Sequence, residues 1–495
     1  MFDKILVANR GEIAIRVMHA AHDLGVEAVA IYHEVDKEMP YIRHADFAYQ
    51  IHGATPKAAY LDIEQIISIA LKSGAKAIHP GYGFLSENSA FSAACAFAGI
   101  EFIGPPAHAI EVMGSKTRAR QLMAAAGVPI VPGTTEKITD INRAFGIAEG
   151  IGYPILLKAS AGGGGKGMRR VYSPDELINN FEAAQRESLK SFGDDSIYIE
   201  KLVENPKHIE IQIIGDKYGN FVHLGERDCS IQRRHQKVIE EAPSTVLDAE
   251  IRAKMGEVAI NAAKACNYVN AGTIEFLFDK NRNFYFLEMN TRLQVEHPIT
   301  EAVTGIDLAR EQIRIAAGEK LSFTQSDIVW RGHAIECRIN AEDPYNNFMP
   351  DTGKIKYLRE PAGKGVRVDS GVESGTEVSV HFDSMLAKLI VYANSRDEAV
   401  NLMKRALKSY NVKGIKTIIP FLSVVMNHPV YQSGNFDTGF IENDFDFDSF
   451  KNDNREHEEA MAAISAYIFR LSKENSIPKR LSKNKCSKWD LKKFG

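Results

Sequence analysis

The segment Lys-Ile-Leu-Val-Ala-Asn-Arg-Gly-Glu-Ile-Ala-Ile-Arg, residues 4–16, contains a short apolar run, a turn at residues 9–11 and the start of an amphipathic helix. Ile13, Val17 and Ala20 recur at the spacing that places them on one helical face. A strand followed by a turn and a helix is the unit from which parallel α/β sheets are built. The segment therefore predicts that the chain begins with such a sheet.

The same unit recurs through the first part of the chain. Strands are predicted at 27–32, 75–79 and 101–104, with a helix at 61–72. This alternation predicts a parallel α/β sheet over roughly the first 110 residues. The first turn lacks the Gly-x-Gly-x-x-Gly pattern, so no dinucleotide site is predicted there.

Composition limits the classes of protein to consider. A chain of 495 residues predicts about three domains, and 44% hydrophobic with 25% charged residues is typical of a globular protein. A net charge of −4 and the lack of a long apolar run argue against nucleic acid or a membrane as partner. The five cysteines form no Cys-x-x-Cys pair, which argues against a zinc site or disulfide framework and favours the cytoplasm.

A glycine-rich loop is predicted between two strands, at 153–160 and 168–172. Five glycines occupy six positions at 162–167, beside Lys158 and Lys166. Such a run lets the backbone reach positive φ and form a concave anion site from its N–H groups. No Ser or Thr follows the Gly-Lys pair, so this is not a Walker A loop. We expect a hairpin that covers phosphate groups, and the alternative is a flexible connector.

Two more strands, at 273–278 and 284–290, flank a polar turn. Pairing Phe278 with Tyr285 would set Glu275 opposite Glu288, about 5 Å apart. Strand alternation adds Asn290 to the same face. Two carboxylates without a neutralising partner repel each other, and a divalent metal that bridges them to a phosphate relieves the repulsion. The alternative is a solvated face on which two glutamates happen to align.

The segment Asn-Thr-Arg-Leu-Gln-Val-Glu-His-Pro continues from Asn290 and is predicted to remain extended, with Arg292, Gln294 and Glu296 on the same side. Arg292 offers a planar fork for carboxylate or phosphate, and Glu296 is a candidate general base. The alternative is a structural ion pair between these two residues. The cationic stretch at 232–237 would, taken alone, be solvated surface.

The middle and end of the chain differ in character. Alternating strands and helices after residue 203 predict an α+β region around an antiparallel sheet. The last 51 residues contain a predicted helix at 456–471 whose apolar stripe consists of Met461, Ile464, Ile468 and Leu471. Residues 470–495 then carry nine Lys or Arg against two acidic residues, a net charge of +7.

Five motifs together carry a family resemblance. They are Asn-Arg-Gly-Glu-Ile-Ala-Ile-Arg at 9–16, His-Pro-Gly-Tyr-Gly-Phe-Leu-Ser-Glu-Asn at 79–88, Gly-Gly-Gly-Gly-Lys-Gly-Met at 162–168, Gln-Arg-Arg-His-Gln-Lys at 232–237, and Glu-Met-Asn-Thr-Arg-Leu-Gln-Val-Glu-His-Pro-Ile-Thr-Glu at 288–301. The chain resembles, from residue 1 to about 444, the biotin carboxylase component of biotin-dependent carboxylases, an ATP-grasp family.

The resemblance implies a domain order and a homodimer. A Rossmann-like pre-ATP-grasp domain would occupy 1–112, and the ATP-grasp domain 113–330 with a mobile lid at about 130–203. The biotin carboxylase carboxyl-terminal domain would occupy 331–444. The helical and basic tail at 445–495 is left as a candidate segment for docking a partner, or as a helix that packs on its own chain.

The resemblance also implies site residues. ATP would be held by Lys116, Lys158, Gly164, Gly165, Glu200, Lys201, Leu202, Val203, His208, Gln232 and His235. Mg²⁺ or Mn²⁺ would be held by Glu275, Glu288 and Asn290, and bicarbonate or biotin by Lys237, Arg292, Gln294, Val295 and Arg338. The implied catalytic residues are Arg292, Glu296, Lys237 and Arg338.

The implied chemistry begins when Glu296 deprotonates bicarbonate for attack on the γ-phosphate of ATP. Carboxyphosphate then breaks down to CO₂ and phosphate, and the phosphate removes the N1′ proton of biotin. Arg292 and Arg338 would stabilise the enolate oxygen of biotin.

The sequence lacks the Met-Lys-Met string at which biotin is attached. The nearest string is Met403-Lys404-Arg405 on a predicted helix, so biotin is expected on a separate, biotin-carrying carboxyltransferase chain. The Ala-Ala-Ile-Ser-Ala-Tyr stretch at 462–467 is similar to the tail of the ATP-binding subunit of two-subunit pyruvate carboxylases. The alternatives are a component of an acetyl-CoA or acyl-CoA carboxylase and, more remotely, a non-catalytic ATP-sensing protein.

Overall fold

The first apolar run forms the central strand of a parallel sheet. The computed structural model describes residues 1–134, 136–159 and 168–475, so Thr135, the glycine loop at 160–167 and residues 476–495 lie outside the described chain. The first elements are β1 (Lys4–Val7), α1 (Gly11–Asp23), β2 (Glu27–Tyr32), β3 (Phe47–Gln50), α2 (Pro56–Ala59), α3 (Ile63–Ser73), β4 (Ala77–His79), α4 (Ser89–Phe97) and β5 (Glu101–Phe102). The strand order is β3-β2-β1-β4-β5, all parallel, which confirms the predicted sheet.

A small antiparallel sheet follows. Its elements are α5 (Ala107–Gly114), α6 (Lys116–Ala125), α7 (Ile141–Ile151), β6 (Ile155–Ala159), β7 (Met168–Val171), α8 (Pro174–Phe192) and β8 (Ile197–Lys201). The strand order is β7-β6-β8, so β6 and β7 form the hairpin that was predicted on either side of the glycine loop. Leu157, Phe181 and Ile199 belong to a separate small core beneath this sheet.

An eight-stranded antiparallel sheet is the largest sheet of the described chain, in the order β13-β12-β9-β10-β11-β14-β21-β19. The elements that build and cover it are β9 (Lys207–Gly215), β10 (Phe221–Arg233), β11 (Gln236–Ala242), α9 (Ala249–Ala265), β12 (Asn270–Phe278), β13 (Phe284–Asn290), α10 (His297–Thr304), α11 (Leu308–Ala316) and β14 (His333–Asn340). After β14 come β15 (Glu342–Asp343), β16 (Met349–Pro350), β17 (Gly353–Lys354), β18 (Tyr357–Arg359), β19 (Val366–Ser370), β20 (Glu377–Val378), β21 (Met385–Ala393), α12 (Arg396–Ser409), β22 (Asn411–Lys413), α13 (Ile419–Asn427), α14 (Pro429–Ser433) and α15 (Phe440–Asn443). The sheet is continuous across residue 330 because β11 pairs with β14.

The two faces of β9 have opposite chemistry. Ile209, Ile211 and Ile213 belong to a core cluster that also contains residues of α9. The alternate positions are polar and equally buried: His208, Glu210 and Gln212. Since successive side chains of a strand point to opposite faces, β9 presents charged and amide groups to the interior on one side of the sheet. Those groups position the site described below.

The structure corrects two sequence predictions in β12 and β13. Glu275 does lie opposite Glu288, but Phe278 pairs with Phe284 and not with Tyr285. A register shift between Glu275 and Phe276 accounts for the difference of one residue. The extended stretch also ends at Asn290, since residues 291–296 are irregular and α10 begins directly after them.

The chain divides into two compact units at residue 444. Over its described residues, 445–475, the second unit contains one helix, α16 (Phe447–Asn475), which is longer than the predicted 456–471. Met461, Ile464, Ile468 and Leu471 are exposed on this helix. Among the helices that the structure describes, none combines the length and the hydropathy needed to span a membrane.

Candidate active site

A row of four charged residues crosses four neighbouring strands of the large sheet. Arg227 on β10 pairs with Glu210 on β9, Glu210 with Glu275 on β12, and Glu275 with Glu288 on β13. Directly paired residues lie on the same face of a sheet. The row therefore places three carboxylates side by side, and charges from other elements must balance them.

Lys237 on β11 supplies the main balancing charge. Its Nζ lies 2.5 Å from Glu210 Oε2, 2.8 Å from Glu275 Oε1 and 2.7 Å from Glu296 Oε1. Burial lowers the pKa of Lys237, but the charges of Glu210 and Glu275 outweigh it and hold that pKa well above its usual value. Lys237 is therefore a permanent cation among three carboxylates, and the prediction that the stretch at 232–237 is solvated surface is wrong for this residue.

Arg338 on β14 approaches Glu296 from the other side. Its guanidinium donates to Glu240 Oε1 (2.7 Å from Nε) and to Glu296 Oε2 (3.0 Å). Burial raises the pKa of Glu296, but the charges of Lys237 and Arg338 outweigh burial and hold that pKa far below its usual value. Each oxygen of Glu296 thus contacts a cation, and the group stays ionised at neutral pH, as a proton acceptor must.

Arg292 does not pair with Glu296, contrary to the alternative considered from sequence. Its Nε donates to Glu87 Oε2 at 3.0 Å, and one Nη donates to Asn290 Oδ1 at 3.1 Å. Glu87 also accepts from the backbone N–H of Thr291 at 3.0 Å. Glu87 lies in the 79–88 motif, so a loop of the amino-terminal sheet fixes the orientation of an arginine in the central sheet.

Glu275, Glu288 and Asn290 come together as predicted, but Glu275 is not unbalanced. Lys237 and the amide of Asn290 each donate to its Oε1 at 2.8 Å, and His208 Nε2 lies 3.0 Å from its Oε2. Burial raises the pKa of Glu275, but Lys237 and then His208 lower it well below its usual value.

Glu288 has the opposite tendency. Desolvation, followed by the charge of Glu275, raises its pKa. A carboxylate pair in which one member resists ionisation gains from a divalent cation, and two carboxylates with an amide oxygen suit Mg²⁺ or Mn²⁺. The donor set therefore fits a magnesium-type ion. Two further clusters have atoms close enough together to hold a metal ion. One consists of His208, Glu210 and Glu275, and the other of Glu210, Cys229 and Glu296. In both clusters, carboxylates already contact Lys237.

A second charged wall lies on the small antiparallel sheet. Lys158 Nζ is 2.5 Å from Glu200 Oε2, and Arg120 donates to Glu200 Oε1 at 3.1 Å. Lys116 experiences the charges of Glu288, Lys158 and Glu200, while burial, the largest effect, lowers its pKa. Lys116 therefore connects this wall to the carboxylate pair through electrostatic interactions.

The other residues implied for ATP have varied environments. Gly164 and Gly165 lie outside the described chain. Lys201 ends β8 and donates to the carbonyl oxygens of Gly152 and Tyr153, while the N–H of Leu202 donates to Pro154 and Val203 continues toward β9. The remaining two belong to the β10–β11 hairpin. Gln232 donates to the carbonyl of Cys229, and His235 is exposed at the tip with φ of 66°.

Gln294 and Val295 occupy the irregular segment before α10. The Gln294 amide donates to Glu275 Oε1 at 2.9 Å, and its oxygen accepts from Arg227 at 2.9 Å. The carbonyl of Val295 accepts from Lys388 Nζ at 3.0 Å. The segment is not a strand, yet Gln294 contacts two residues of the row of charges, and Glu296 contacts Lys237, which balances that row.

Sequence analysis missed Arg227, Glu210 and Glu240. Arg227 has no exposed surface and donates to Gln212, Thr300, Thr273 and Gln294 as well as to Glu210. The alternation of isoleucine with polar residues in β9 was the signal for Glu210, because a strand with isoleucine on one face and His, Glu and Gln on the other lines a polar interior.

Three known families match consecutive parts of this chain. The family described as "Biotin carboxylase, N-terminal domain" matches residues 1–110, "Carbamoyl-phosphate synthase L chain, ATP binding domain" matches 115–324, and "Biotin carboxylase C-terminal domain" matches 336–443. The matches cover nearly all of the first compact unit.

Curated relatives with about half of their residues identical include three enzyme components. One of the pyruvate carboxylase subunits of Methanothermobacter thermautotrophicus is 54% identical over 442 residues, which cover 89% of this chain and 90% of the relative. Biotin carboxylase 1 of Bacillus subtilis is 51% identical over 443 residues, 89% of this chain and 98% of the relative. The small subunit of 2-oxoglutarate carboxylase from Hydrogenobacter thermophilus is 50% identical over 471 residues, 94% of this chain and 99% of the relative.

The fold matches solved structures as well. The biotin carboxylase domain dimer of Hydrogenobacter thermophilus 2-oxoglutarate carboxylase, crystallised with MgADP, ADP and bicarbonate, is 50% identical with a TM-score of 0.85. The match covers 89% of this chain and 97% of that one. A protein with this fold and 50% sequence identity to this chain thus binds nucleotide, magnesium and bicarbonate.

Proposed function

This chain belongs to the biotin carboxylase family of ATP-dependent ligases, and from that premise we propose that it carboxylates biotin on a separate carrier chain, in the cytoplasm, as the ATP-binding component of a two-subunit pyruvate carboxylase. The observation that carries the proposal is the arrangement around Glu296, whose two oxygens contact Lys237 and Arg338 beside a carboxylate pair suited to Mg²⁺ or Mn²⁺. One ionised base between two fixed cations fits the activation of a small anion such as bicarbonate.

ATP and its metal occupy adjacent parts of the proposed site. In this proposal ATP is bound by Lys116, Lys158, Gly164, Gly165, Glu200, Lys201, Leu202, Val203, His208, Gln232 and His235. Glu275, Glu288 and Asn290 hold Mg²⁺ or Mn²⁺, which neutralises phosphate charge when bound. Support comes from the placement of Lys158 and Glu200 in one ion pair and from the electrostatic contact of Lys116 with Glu288.

Bicarbonate binds, in this proposal, to Lys237, Arg292, Gln294 and the backbone of Val295. Glu296 takes the bicarbonate proton, and the freed oxygen attacks the γ-phosphate with ADP as the leaving group. The carboxyphosphate that forms decomposes to CO₂ and phosphate, and the phosphate takes the N1′ proton of biotin. Arg292 and Arg338 stabilise the negative charge on the biotin oxygen until N1′ attacks CO₂ to give carboxybiotin, a role that suits guanidinium groups held in fixed orientation.

The choice of pyruvate as final acceptor rests on chain length as well as identity. The 2-oxoglutarate carboxylase subunit matches 94% of this chain, so this similarity extends past residue 444. The pyruvate carboxylase subunit is also longer than the body, because a tenth of its own length lies outside the region that matches this chain. The Bacillus biotin carboxylase is covered to 98% by the body alone. Both relatives with a longer chain act, by name, on 2-oxo acids. A component of an acyl-CoA carboxylase is the second candidate, because the Bacillus biotin carboxylase is as similar over the body.

Two partners follow from the proposal. A second copy of this chain forms the homodimer, supported by the related dimeric structure, and a carrier protein bears biotin and the carboxyltransferase. We assign the tail at 445–495 to docking of this carrier protein, since α16 exposes an apolar stripe and residues 470–495 have a net charge of +7. Deleting 455–495 should then abolish capture of the carrier protein without loss of biotin-dependent ATP turnover, and undiminished capture would refute this assignment.

The test of the enzymatic proposal measures ADP release by the purified chain with Mg²⁺ and ATP. We expect release that requires bicarbonate and is accelerated by free biotin. Glu296→Gln should abolish the biotin-stimulated turnover and leave ATP binding nearly unchanged, because Glu296 acts on bicarbonate. Nucleotide binding without such turnover in the unmodified chain would instead indicate an ATP-sensing protein, and equal loss of binding and turnover in the variant would make Glu296 structural.

The acceptor is identified with the native complex on immobilised avidin and labelled bicarbonate. Label in oxaloacetate supports the pyruvate carboxylase proposal. Label in malonyl-CoA would make the chain part of an acyl-CoA carboxylase, and label in carboxylated 2-oxoglutarate would assign it to that acceptor.

A further inference from the structure

Two buried glutamates lie beside Arg338 and have no place in the chemistry proposed above. Glu240 on β11 and Glu336 on β14 are directly opposite each other in the antiparallel ladder, and both have 0% exposed surface. Arg338 follows Glu336 by two positions and so lies on the same face of β14. Directly opposed side chains of an antiparallel pair are within contact range.

Most of the oxygens of this pair have no donor. Arg338 donates to Glu240 Oε1, but Glu240 Oε2 and both oxygens of Glu336 accept no hydrogen bond from any residue that the structure describes. An ionised carboxylate in that state is unfavourable by several kcal/mol. A carboxyl group that keeps its proton avoids this cost and can donate to its neighbour, as in other carboxyl pairs that share one proton.

We propose that Glu240 and Glu336 share one proton, so that the pair carries a single negative charge next to Arg338 while the enzyme works. The proton sits between Glu240 Oε2 and Glu336, and it passes to solvent when the pair ionises fully. The shared proton does not depend on the proposed function. Its effect on turnover does, because that effect requires Arg338 to stabilise negative charge on biotin. Glu240 and Glu336 are positioning residues that act through Arg338.

The surrounding charges do not neutralise the pair. The titratable and charged groups that face it are Arg338, Glu296, Lys237, Lys388, Tyr82, Cys229 and Cys337. Lys388, the cation that acts most strongly on Glu336, lies 3.3 Å from Glu12 and 3.6 Å from Asp369. The cations lower the pKa of both glutamates, but burial outweighs them. The net effect raises the pKa of Glu240 to about 7 and that of Glu336 well above its usual value.

Loss of the shared proton changes the charge that Arg338 faces. With one proton present, the guanidinium contacts Glu296 and a pair of charge −1. With none, a second buried negative charge is added and the positive potential available to the biotin oxygen decreases. Biotin-stimulated turnover should therefore fall as pH rises through the higher pKa of the pair, that of Glu336, at which the shared proton is lost.

The experiment compares Glu336→Gln with Glu336→Asp in the full-length chain. The glutamine amide supplies a permanent N–H donor in place of the shared proton, so we expect its alkaline decline in kcat for biotin-stimulated ADP release to disappear. Aspartate keeps an ionisable group, and the decline should remain. A decline in Glu336→Gln that equals the wild type would overturn the inference.

A second readout does not depend on activity. The infrared absorption of a protonated carboxylic acid should be present in the wild type at neutral pH and lost in Glu336→Gln, or in Glu240→Gln if the first variant does not fold. An unchanged absorption would refute proton sharing. Wild-type protein that shows this absorption but no bicarbonate-dependent turnover would refute the proposed function while the shared proton stands.

Discussion

Lys237 Nζ lies 2.7 Å from Glu296 Oε1, and the same ammonium contacts Glu210 and Glu275. One cation therefore serves three buried carboxylates on three separate segments of the chain. Such an arrangement is stable only while the cation is present, because removing one partner of a buried ion pair leaves uncompensated charge.

Replacing Lys237 by glutamine should lower the free energy of unfolding by about 3–5 kcal/mol, the usual cost of breaking a buried pair. The matched control is Lys217→Gln, since Lys217 forms an exposed pair with Glu101 whose loss costs at most about 1 kcal/mol. Denaturant titration of both variants measures the difference. Equal effects would mean that Lys237 is not the shared counter-ion.

The same substitution has a kinetic consequence. Because Lys237 is proposed to bind bicarbonate, Lys237→Gln should raise the KM for bicarbonate far more than the KM for ATP. Steady-state ADP release at varied bicarbonate measures this, and an unchanged bicarbonate dependence would contradict the assigned role.

Glu87 should control turnover without binding substrate. It accepts from Arg292 Nε and from the N–H of Thr291, and misplacement of a reacting group by about 1 Å can cost 10²-fold in rate. Glu87→Gln should therefore lower kcat by about 10- to 100-fold with little change in ATP binding. Glu111→Gln is the control, because its carboxylate belongs to an exposed pair with Arg118. Equal kcat values for the two variants would show that Arg292 is held without Glu87.

The sequence predicted the parallel sheet, the hairpin around the glycine loop and the Glu275–Glu288 pair, because each depends on contacts between neighbouring segments. It did not predict the register shift after Glu275, since a bulge of one residue leaves the apolar alternation nearly unchanged. Contacts between distant segments were also missed. Arg338 and Glu240 are 98 residues apart, and no local pattern announces that β11 and β14 are neighbours.

Metal affinity should depend on pH through Glu288. Its pKa is raised by desolvation and by Glu275, so below that pKa a bound cation must displace a proton, and affinity should increase as pH rises through it. Calorimetric titration of Mn²⁺ at several pH values measures this. Glu288→Gln should bind more weakly and with a smaller pH slope, whereas Glu250→Gln on the exposed start of α9 should match the wild type. Identical slopes in all three proteins would exclude Glu288 from the metal site.

Stability at acid pH should depend on Glu241, away from the row of charges. Its carboxylate is fully buried, accepts from Arg396 at 3.1 Å and lies 3.7 Å from His333. Burial raises its pKa, but the nearby His333 and the Arg396 charge outweigh burial and lower the pKa to about 2.

A carboxylate whose pKa is lowered in the folded state stabilises the protein at pH values above its pKa in the unfolded state, which is about 4.3. The difference is worth about 3 kcal/mol at neutral pH, and it should be lost progressively as pH falls from about 4 toward 2. Denaturant titrations at pH 7, 4 and 3 should therefore show wild type and Glu241→Gln furthest apart at pH 7 and converging in acid. Glu257→Gln, on the exposed side of α9, controls for general loss of negative charge. A constant gap between wild type and Glu241→Gln at all three pH values would mean that Glu241 titrates alike in the folded and unfolded chain.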